Sequence, residues 1–299
     1  MKLKKILLPL DGSDLAERVA LPAARLAEGV GTELVLLTVV APTVNHSPQD
    51  PVARAVQTEP YEAGLYLKSM RSRILPLTLQ VETAVRSGLP AQEIIRYVQE
   101  NGVDLIIMTT HGRSGLTRWS FGRTAEKVVR RAPCPTVIMR SQQQIIPDQI
   151  KRILVPLDGS ALAEQVLAPT FYIASGLKAE VILLQVMEAG PLQPEGRAPE
   201  AEKLASMYAY LESIRQRLQA RGIQAQAEVL VGPVADKIVD FADANQIDLI
   251  VLSNLGSSGL QMWMFGSVAE RVMKGAHCTT MIIRQPNPNL KRDEVFTDD

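Results

Sequence analysis

The chain has 299 residues, and 46% of them are hydrophobic, which is enough for one large core or for two ordinary ones. Its 32 basic side chains balance 32 acidic ones, so no overall field attracts nucleic acid or an anionic membrane. No apolar stretch approaches the roughly 20 residues that cross a bilayer. We therefore expect a soluble protein, and because there are only two cysteines, Cys134 and Cys278, we expect it in the cytoplasm without disulfides.

A segment near the start of the chain recurs in its second half. Residues 5–13 read KILLPLDGS, and residues 152–160 read RILVPLDGS. Residues 104–108 (DLIIM) return in the same way as residues 248–252 (DLIVL). The two displacements are 147 and 144 positions, so the register of the two halves is almost constant. The chain is therefore expected to be an internal duplication.

Within each half, apolar runs alternate with helical patterns, which is typical of βα units and a parallel sheet. The first half predicts strands at residues 5–10, 33–40, 80–85, 104–109 and 136–140 and helices at 14–29, 61–75, 91–101 and 122–131. The second half predicts strands at residues 152–157, 180–186, 226–230, 248–252 and 279–284 and helices at 161–175, 200–220, 235–245 and 267–275. We predict an α/β fold of two tandem doubly wound domains, each with a five-stranded parallel sheet, at residues 1–145 and 146–285, followed by a disordered tail at 286–299.

The first strand of each half ends in an acidic turn, Asp11-Gly12-Ser13 or Asp158-Gly159-Ser160. Ligands of doubly wound sheets bind at the carboxyl ends of the strands, where the winding direction reverses. A carboxylate there can accept hydrogen bonds from sugar hydroxyls or from the amino group of adenine. The same residues can instead serve only to cap the following helix, and both interpretations stay open.

A glycine-containing loop follows the fourth strand of each half. Nine residues separate Gly256 from Gly266, and Ser267 then opens a helix; the first half has the same spacing between Gly112 and Gly122. Glycines let backbone amides approach an anion, and a helix start adds unpaired N–H groups and partial positive charge. The pattern indicates a polyphosphate site, although glycines at such loops also serve simple tight turns.

The strand that ends in Pro-x-Asp-x-Ser and the later Gly-x9-Gly loop resemble the universal stress protein family, twice over nearly the whole chain. The resemblance implies a Rossmann-like, adenine nucleotide alpha hydrolase-like fold that binds ATP, with Mg or Mn accompanying the phosphates. In the second half the implied nucleotide-binding residues are Asp158, Val186, Ser253, Gly256, Gly259, Gly266, Ser267 and Val268. In the first half the implied residues of a weaker site are Asp11, Val39, Gly112, Gly115, Gly122, Arg123 and Thr124.

The chain departs from the family pattern at two places in the loop. The opening glycine is replaced by Thr109 in the first half and by Ser253 in the second. The hydroxyl residue expected after the final glycine is Ser267 in the second half but Arg123 in the first. We therefore expect ATP in the second half, whereas the arginines of the first loop leave a different anion open there.

The acidic turn has no Gly-x-Gly-x-x-Gly pattern, and the chain has no Gly-x4-Gly-Lys-(Ser/Thr) loop, which argues against a dehydrogenase and a P-loop ATPase. No nucleophile with a base is evident, so we predict a binding protein with at most slow ATP hydrolysis, and the resemblance implies that it acts as a regulatory module of the stress response. The alternative is an interaction module that binds no nucleotide. The fifth strands are expected to pair with each other within one chain, and a homodimer stays open.

Overall fold

The structure, a computed structural model, describes residues 3–41, 60–76, 80–109, 122–139, 149–188, 197–254 and 266–284. These residues belong to two compact units, the first ending at residue 139 and the second beginning at residue 149. The boundary predicted at residue 145 and the tail predicted at residues 286–299 lie outside the described residues. The predicted pairing of the two fifth strands stays a prediction.

The first unit contains five parallel strands in the order β3-β2-β1-β4-β5. Its strands are β1 (Lys5–Pro9), β2 (Glu33–Val40), β3 (Val81–Ser87), β4 (Leu105–Thr109) and β5 (Thr136–Met139). Its described helices are α1 (Asp14–Glu17), α2 (Ala20–Gly29), α3 (Pro60–Ile74), α4 (Pro90–Asn101) and α5 (Arg123–Arg131). The strand order reverses direction between β1 and β4, as expected for a doubly wound sheet.

The second unit repeats this topology in the order β8-β7-β6-β9-β10, again with parallel pairing. Its strands are β6 (Arg152–Pro156), β7 (Glu180–Met187), β8 (Ala225–Val231), β9 (Leu249–Ser253) and β10 (Thr279–Ile283). Its described helices are a 3₁₀ turn (Ala163–Val166), α6 (Leu167–Leu177), α7 (Arg197–Gln219), α8 (Val234–Ala244) and α9 (Ser267–Gly275). The fold predicted from the sequence, two doubly wound five-stranded domains, is confirmed.

The central strands form the core of each unit. Leu7 on β1 and Leu154 on β6 are both 0% exposed, as are their apolar neighbours along the strand. Continuous apolar strands are expected here because helices cover both faces of a doubly wound sheet. Full burial of one leucine side chain contributes about 1.5–3 kcal/mol to stability, so these matched runs stabilise both units in the same way.

The first helix predicted for each unit is interrupted in the structure. The predicted helix over residues 14–29 is divided into α1 and α2, and its counterpart over residues 161–175 begins as a 3₁₀ turn before α6. Pro22 and Pro169 are each the third residue of the following α-helix. A proline has no N–H to donate to the carbonyl four residues earlier, and its ring clashes with that carbonyl. A proline at the equivalent position of each unit therefore interrupts the predicted helix.

A carboxylate ties the amino ends of the two central strands together in each unit. The Oδ2 atom of Asp104 accepts from the backbone N–H groups of Lys4 at 2.7 Å and Lys5 at 3.1 Å. Asp248 accepts in the same way from Lys151 at 2.8 Å and Arg152 at 2.9 Å. Because each aspartate directly precedes the fourth strand of its unit, this carboxylate bracket fixes β4 beside β1 and β9 beside β6.

Candidate functional site

The acidic turns of the two units have nearly the same geometry. In the second unit, Asp158 Oδ1 accepts from the backbone N–H of Ser160 at 2.9 Å and from its hydroxyl at 2.6 Å. The Ser160 Oγ atom in turn accepts from the backbone N–H of Ala163 at 3.1 Å. Gly159 adopts φ = 82°, a left-handed conformation that favours glycine and turns the chain sharply. The serine therefore caps the helical turn, and the aspartate orients the serine.

The first unit reproduces each of these contacts. Asp11 Oδ1 accepts from the Ser13 backbone N–H at 3.0 Å and from its hydroxyl at 2.6 Å, and Ser13 Oγ accepts from Ala16 at 3.2 Å. Gly12 has φ = 77°. Both aspartates are exposed at the carboxyl end of the first strand of their unit. The capping role considered from the sequence thus belongs to Ser13 and Ser160, while the aspartates face the surface.

The second strand of each unit continues beyond the first. The register pairs Pro156, the last residue of β6, with Leu184, whereas β7 continues to Met187. The backbone N–H of Leu157 donates to the Leu184 carbonyl at 2.8 Å, which holds the acidic turn against β7. Residues 185–187, including the half-buried Val186, therefore flank the turn. Val39 occupies the corresponding half-buried position in the first unit.

The amino end of α9 is attached to the end of β9. Gly266 is the N-cap of this helix, and its backbone N–H donates to the carbonyl of Asn254 at 3.0 Å. A Cβ atom at Gly266 would lie 3.4 Å from the same carbonyl oxygen, at the short end of ordinary van der Waals contact. Gly266 has no side chain that could cap the helix, so it does not cap the backbone N–H groups of Ser267 and Val268 in the first turn.

The first unit has a matching helix start with a different side chain. Gly122 is the N-cap of α5, again without a side-chain cap hydrogen bond. Arg123 follows it and is exposed, whereas Ser267 is the exposed residue at the equivalent position of the second unit. Thr124 is half-buried one position later. The four predicted loop glycines Gly112, Gly115, Gly256 and Gly259 lie outside the described residues.

Strand pairing brings these parts of the second unit to one edge of its sheet. Strand β6 pairs with β9 through Leu154 and Ile250, and it pairs with β7 on its other side. The Asp158 turn is next to the end of β7, and it lies at the same carboxyl edge of the sheet as the end of β9, to which the start of α9 is attached. We call this carboxyl edge, with the Asp158 turn, Gln185–Met187 and Gly266–Val268, the second-unit crevice.

Each unit also places a tyrosine beside its acidic turn, which the sequence analysis did not anticipate. Burial, followed by the charges of Glu17 and Asp11, raises the pKa of Tyr66. In the second unit, burial, then Glu164 and Asp158, raises the pKa of Tyr210 in the same way. The hydroxyl groups are therefore protonated at neutral pH and can donate. These tyrosines recur at the 144-residue displacement of the repeat, and that recurrence is the sequence signal that could have revealed them.

Both cysteines and His277 lie within the described residues. Burial raises the pKa of the Cys134 thiol to about 12, so the thiol is protonated and unreactive at neutral pH. His277 lies 2.9 Å from Asp243 at the surface. Within the ranges that the structure describes, no three His, Cys, Asp or Glu side chains gather to hold a metal ion. Across the same ranges, no helix is both long and apolar enough to cross a membrane.

The arrangement defines a class of protein. The parallel strands of each unit follow the order 3-2-1-4-5, and each unit carries a polar turn where the winding direction reverses. Such a chain is a tandem Rossmann-like α/β protein, in which ligands bind at the carboxyl edge of the sheet.

Comparison with known proteins gives the family. The family model described as the universal stress protein family matches residues 2–140 and again residues 149–284. A universal stress protein of Methanocaldococcus jannaschii is 33% identical over 46% of this chain and 83% of its own length. One from Synechocystis is 24% identical, and that match covers 94% of this chain and 100% of the relative. The chain belongs to the universal stress protein family, as its motifs indicated.

The solved structures agree with this assignment at the level of the fold. The crystal structure of a universal stress protein from Archaeoglobus fulgidus has a TM-score of 0.69 against this chain, at 18% sequence identity. The match covers 95% of this chain and 97% of that chain. The two proteins therefore share this fold over nearly the whole of both chains.

Proposed function

We propose that the chain is a cytoplasmic ATP-binding regulatory protein of the stress response, and that the second-unit crevice holds the nucleotide. The observation that supports this most directly is the attachment of the α9 start to the strand beside the Asp158 turn. The Gly266 N–H bonds to Asn254, which directly follows β9, and β9 pairs with the strand that leads to Asp158. An acceptor for a sugar or base and a donor end for phosphates thus border one crevice.

The phosphates would meet the amino end of α9. This helix has nine residues, so its dipole concentrates partial positive charge at Ser267 and Val268. A glycine N-cap lets an anion approach these amides closely, and the Ser267 hydroxyl adds a further donor. This position holds an arginine in the first unit but a serine here. Recognition of the phosphates at this position would therefore depend on backbone dipoles rather than on an ion pair.

The adenosine would lie toward the acidic turn. Asp158 is exposed, and its hydrogen bonds to Ser160 already orient its carboxylate. The side chain would therefore lose little conformational entropy when it accepts a hydrogen bond from a ligand. The backbone of Val186 flanks the same turn and offers its polar groups to the base. Magnesium or manganese would be held mainly by the phosphate oxygens, since such ions keep few protein ligands when they bind with a nucleotide.

The first test identifies the bound molecule. Protein purified without added nucleotide would be heated, and the released small molecules would be separated and weighed by mass spectrometry. We expect ATP in an amount near one per chain. Protein that carries no nucleotide and does not bind added ATP would support the interaction module instead.

The second test uses Gly266→Asp with the matched variant Gly122→Asp. A carboxylate at the start of α9 would repel phosphate and take up the N–H groups that the phosphate needs, so we expect at least a hundredfold loss of ATP affinity by calorimetry. Gly122→Asp changes the equivalent position of the first unit and should leave the tight site intact.

Gly266→Ala separates charge from crowding, because its Cβ would make the same 3.4 Å contact with the Asn254 carbonyl. We expect the alanine variant to lose much less affinity than the aspartate variant. Full ATP affinity in Gly266→Asp, with an unchanged melting temperature, contradicts the proposed position of the phosphates.

A further inference from the structure

Besides Ser267, a side chain on β7 distinguishes the second-unit crevice from its counterpart. Gln185 lies on β7 immediately after the buried run that ends at Leu184, and the register pairs it with Val229 of β8. Its Nε2 atom is 3.6 Å from the position that a Cβ would take on Gly159. The carboxamide is therefore packed against the acidic turn, directly before the strand residue Val186.

The oxygen of this carboxamide is buried and has no hydrogen-bond donor among the residues that the structure describes. A buried acceptor without a donor is unfavourable, and native structures keep few of them without a functional reason. The terminal torsion of glutamine is broad, so the group can turn and present either its oxygen or its amide nitrogen to the crevice. A ligand that supplies a donor beside Asp158 would satisfy this oxygen.

The first unit has a different side chain at the position equivalent to Gln185. Thr38 stands there on β2, is 7% exposed, and donates its hydroxyl to the Leu10 carbonyl at 3.0 Å. Its hydrogen bond is thus used within the chain, next to the Asp11 turn. The tyrosine and the aspartate of the two units correspond, whereas the unsatisfied carboxamide occurs in the second unit at this strand position.

We infer that Gln185 recognises the base edge of the nucleotide in the second unit. Its Nε2 donates to N7 of adenine while its oxygen accepts from the 6-amino group. A carboxamide fits this edge because it carries one donor and one acceptor side by side, and glutamine and asparagine pair with adenine N6 and N7 in this way elsewhere. The inference rests on the proposed ATP site and adds the residue that selects adenine.

The test measures the binding of three nucleotides to the full chain by calorimetry. ATP presents both groups, 7-deaza-ATP lacks the N7 acceptor, and GTP replaces the 6-amino donor with a carbonyl. We expect the unaltered protein to bind ATP about tenfold more tightly than either analogue, a difference typical of one bidentate contact.

Two variants divide the contact into its halves. Gln185→Met keeps the length of the side chain without its polar atoms, so both tenfold ratios should fall to near one. Gln185→Glu keeps an acceptor but has no donor, so the preference over 7-deaza-ATP should disappear while the preference over GTP remains. Gln219→Met makes the same chemical change at an exposed position of α7 and should alter neither ratio.

A purely structural role predicts a different result. If Gln185 only supported the fold, Gln185→Met would lower the melting temperature and leave the nucleotide ratios unchanged. We expect the opposite, because methionine removes a buried oxygen that lacks a donor. Unchanged ratios in Gln185→Met overturn this inference alone, whereas an unaltered protein that binds no ATP overturns both the inference and the proposed function.

Discussion

The two units make the same acidic turn but surround it with different side chains. Asp11 and Asp158 hold their serines at the same distance, 2.6 Å from oxygen to oxygen. Beside them, however, the first unit has Thr38 bonded to its own backbone, and the second has the unsatisfied Gln185. The comparison shows that the two halves share the turn itself and differ in the strand residue beside it, Thr38 or Gln185.

The largest expected effect is one that the two units should share. Leu7→Ala and Leu154→Ala remove equivalent leucines that are 0% exposed at the centre of each sheet. Each should lower the free energy of unfolding of its own unit by about 3–5 kcal/mol, because a buried leucine leaves a cavity when it is shortened. Urea unfolding followed by hydrogen exchange would locate the loss. Markedly unequal losses of unfolding free energy would show that the two cores are packed differently although their strands match.

A second prediction separates the units at the acidic turn. Asp158→Asn keeps an oxygen that can accept from Ser160, so the turn and the melting temperature should persist. The variant loses a charged acceptor for the ligand, which corresponds to roughly a tenfold to hundredfold loss of ATP affinity. The matched Asp11→Asn should leave the tighter ATP binding unchanged. Equal losses in both variants would mean that the two sites contribute alike.

The smallest expected effect comes from exchanging the residues at the two helix starts. Arg123→Ser gives the first unit the hydroxyl of the second, and Ser267→Arg makes the reverse change. We expect Ser267→Arg to weaken ATP binding about fivefold, because a long side chain replaces a small donor beside the phosphates. Arg123→Ser should strengthen nucleotide binding in the first unit by a similar factor, measured by equilibrium dialysis. Tighter ATP binding by Ser267→Arg would favour an arginine-dependent site instead.

Most of the fold could be predicted from the sequence because two separate pairs of segments revealed the internal repeat. Apolar runs bounded by turns located every strand within a few residues, and the alternation with helices gave the parallel topology. The breaks near Pro22 and Pro169 were missed because the apolar pattern continues across them. Proline is also common near the start of a helix, so its presence alone does not tell a break from a helix start. The structure shows where each helix is divided.

The candidate site was predictable where backbone geometry decides it. The acidic turn and the glycine N-cap follow from local residue types, so Asp158 and Gly266 could be named in advance. Gln185 and Tyr210 could not, because their significance depends on burial and on neighbours far away in the chain. A glutamine after a buried strand is unremarkable until its oxygen is seen to lack a donor.

The carboxylate brackets at Asp104 and Asp248 lock the rim of each sheet that lies farthest from the crevice. They use only main-chain donors of the neighbouring strand, so substitutions in the loops of the opposite rim do not disturb them. Changes at the rim of the proposed ligand site therefore leave these brackets intact. The fold of each unit is thus secured at the rim opposite its proposed ligand site, which leaves the side chains of the two sites free to differ.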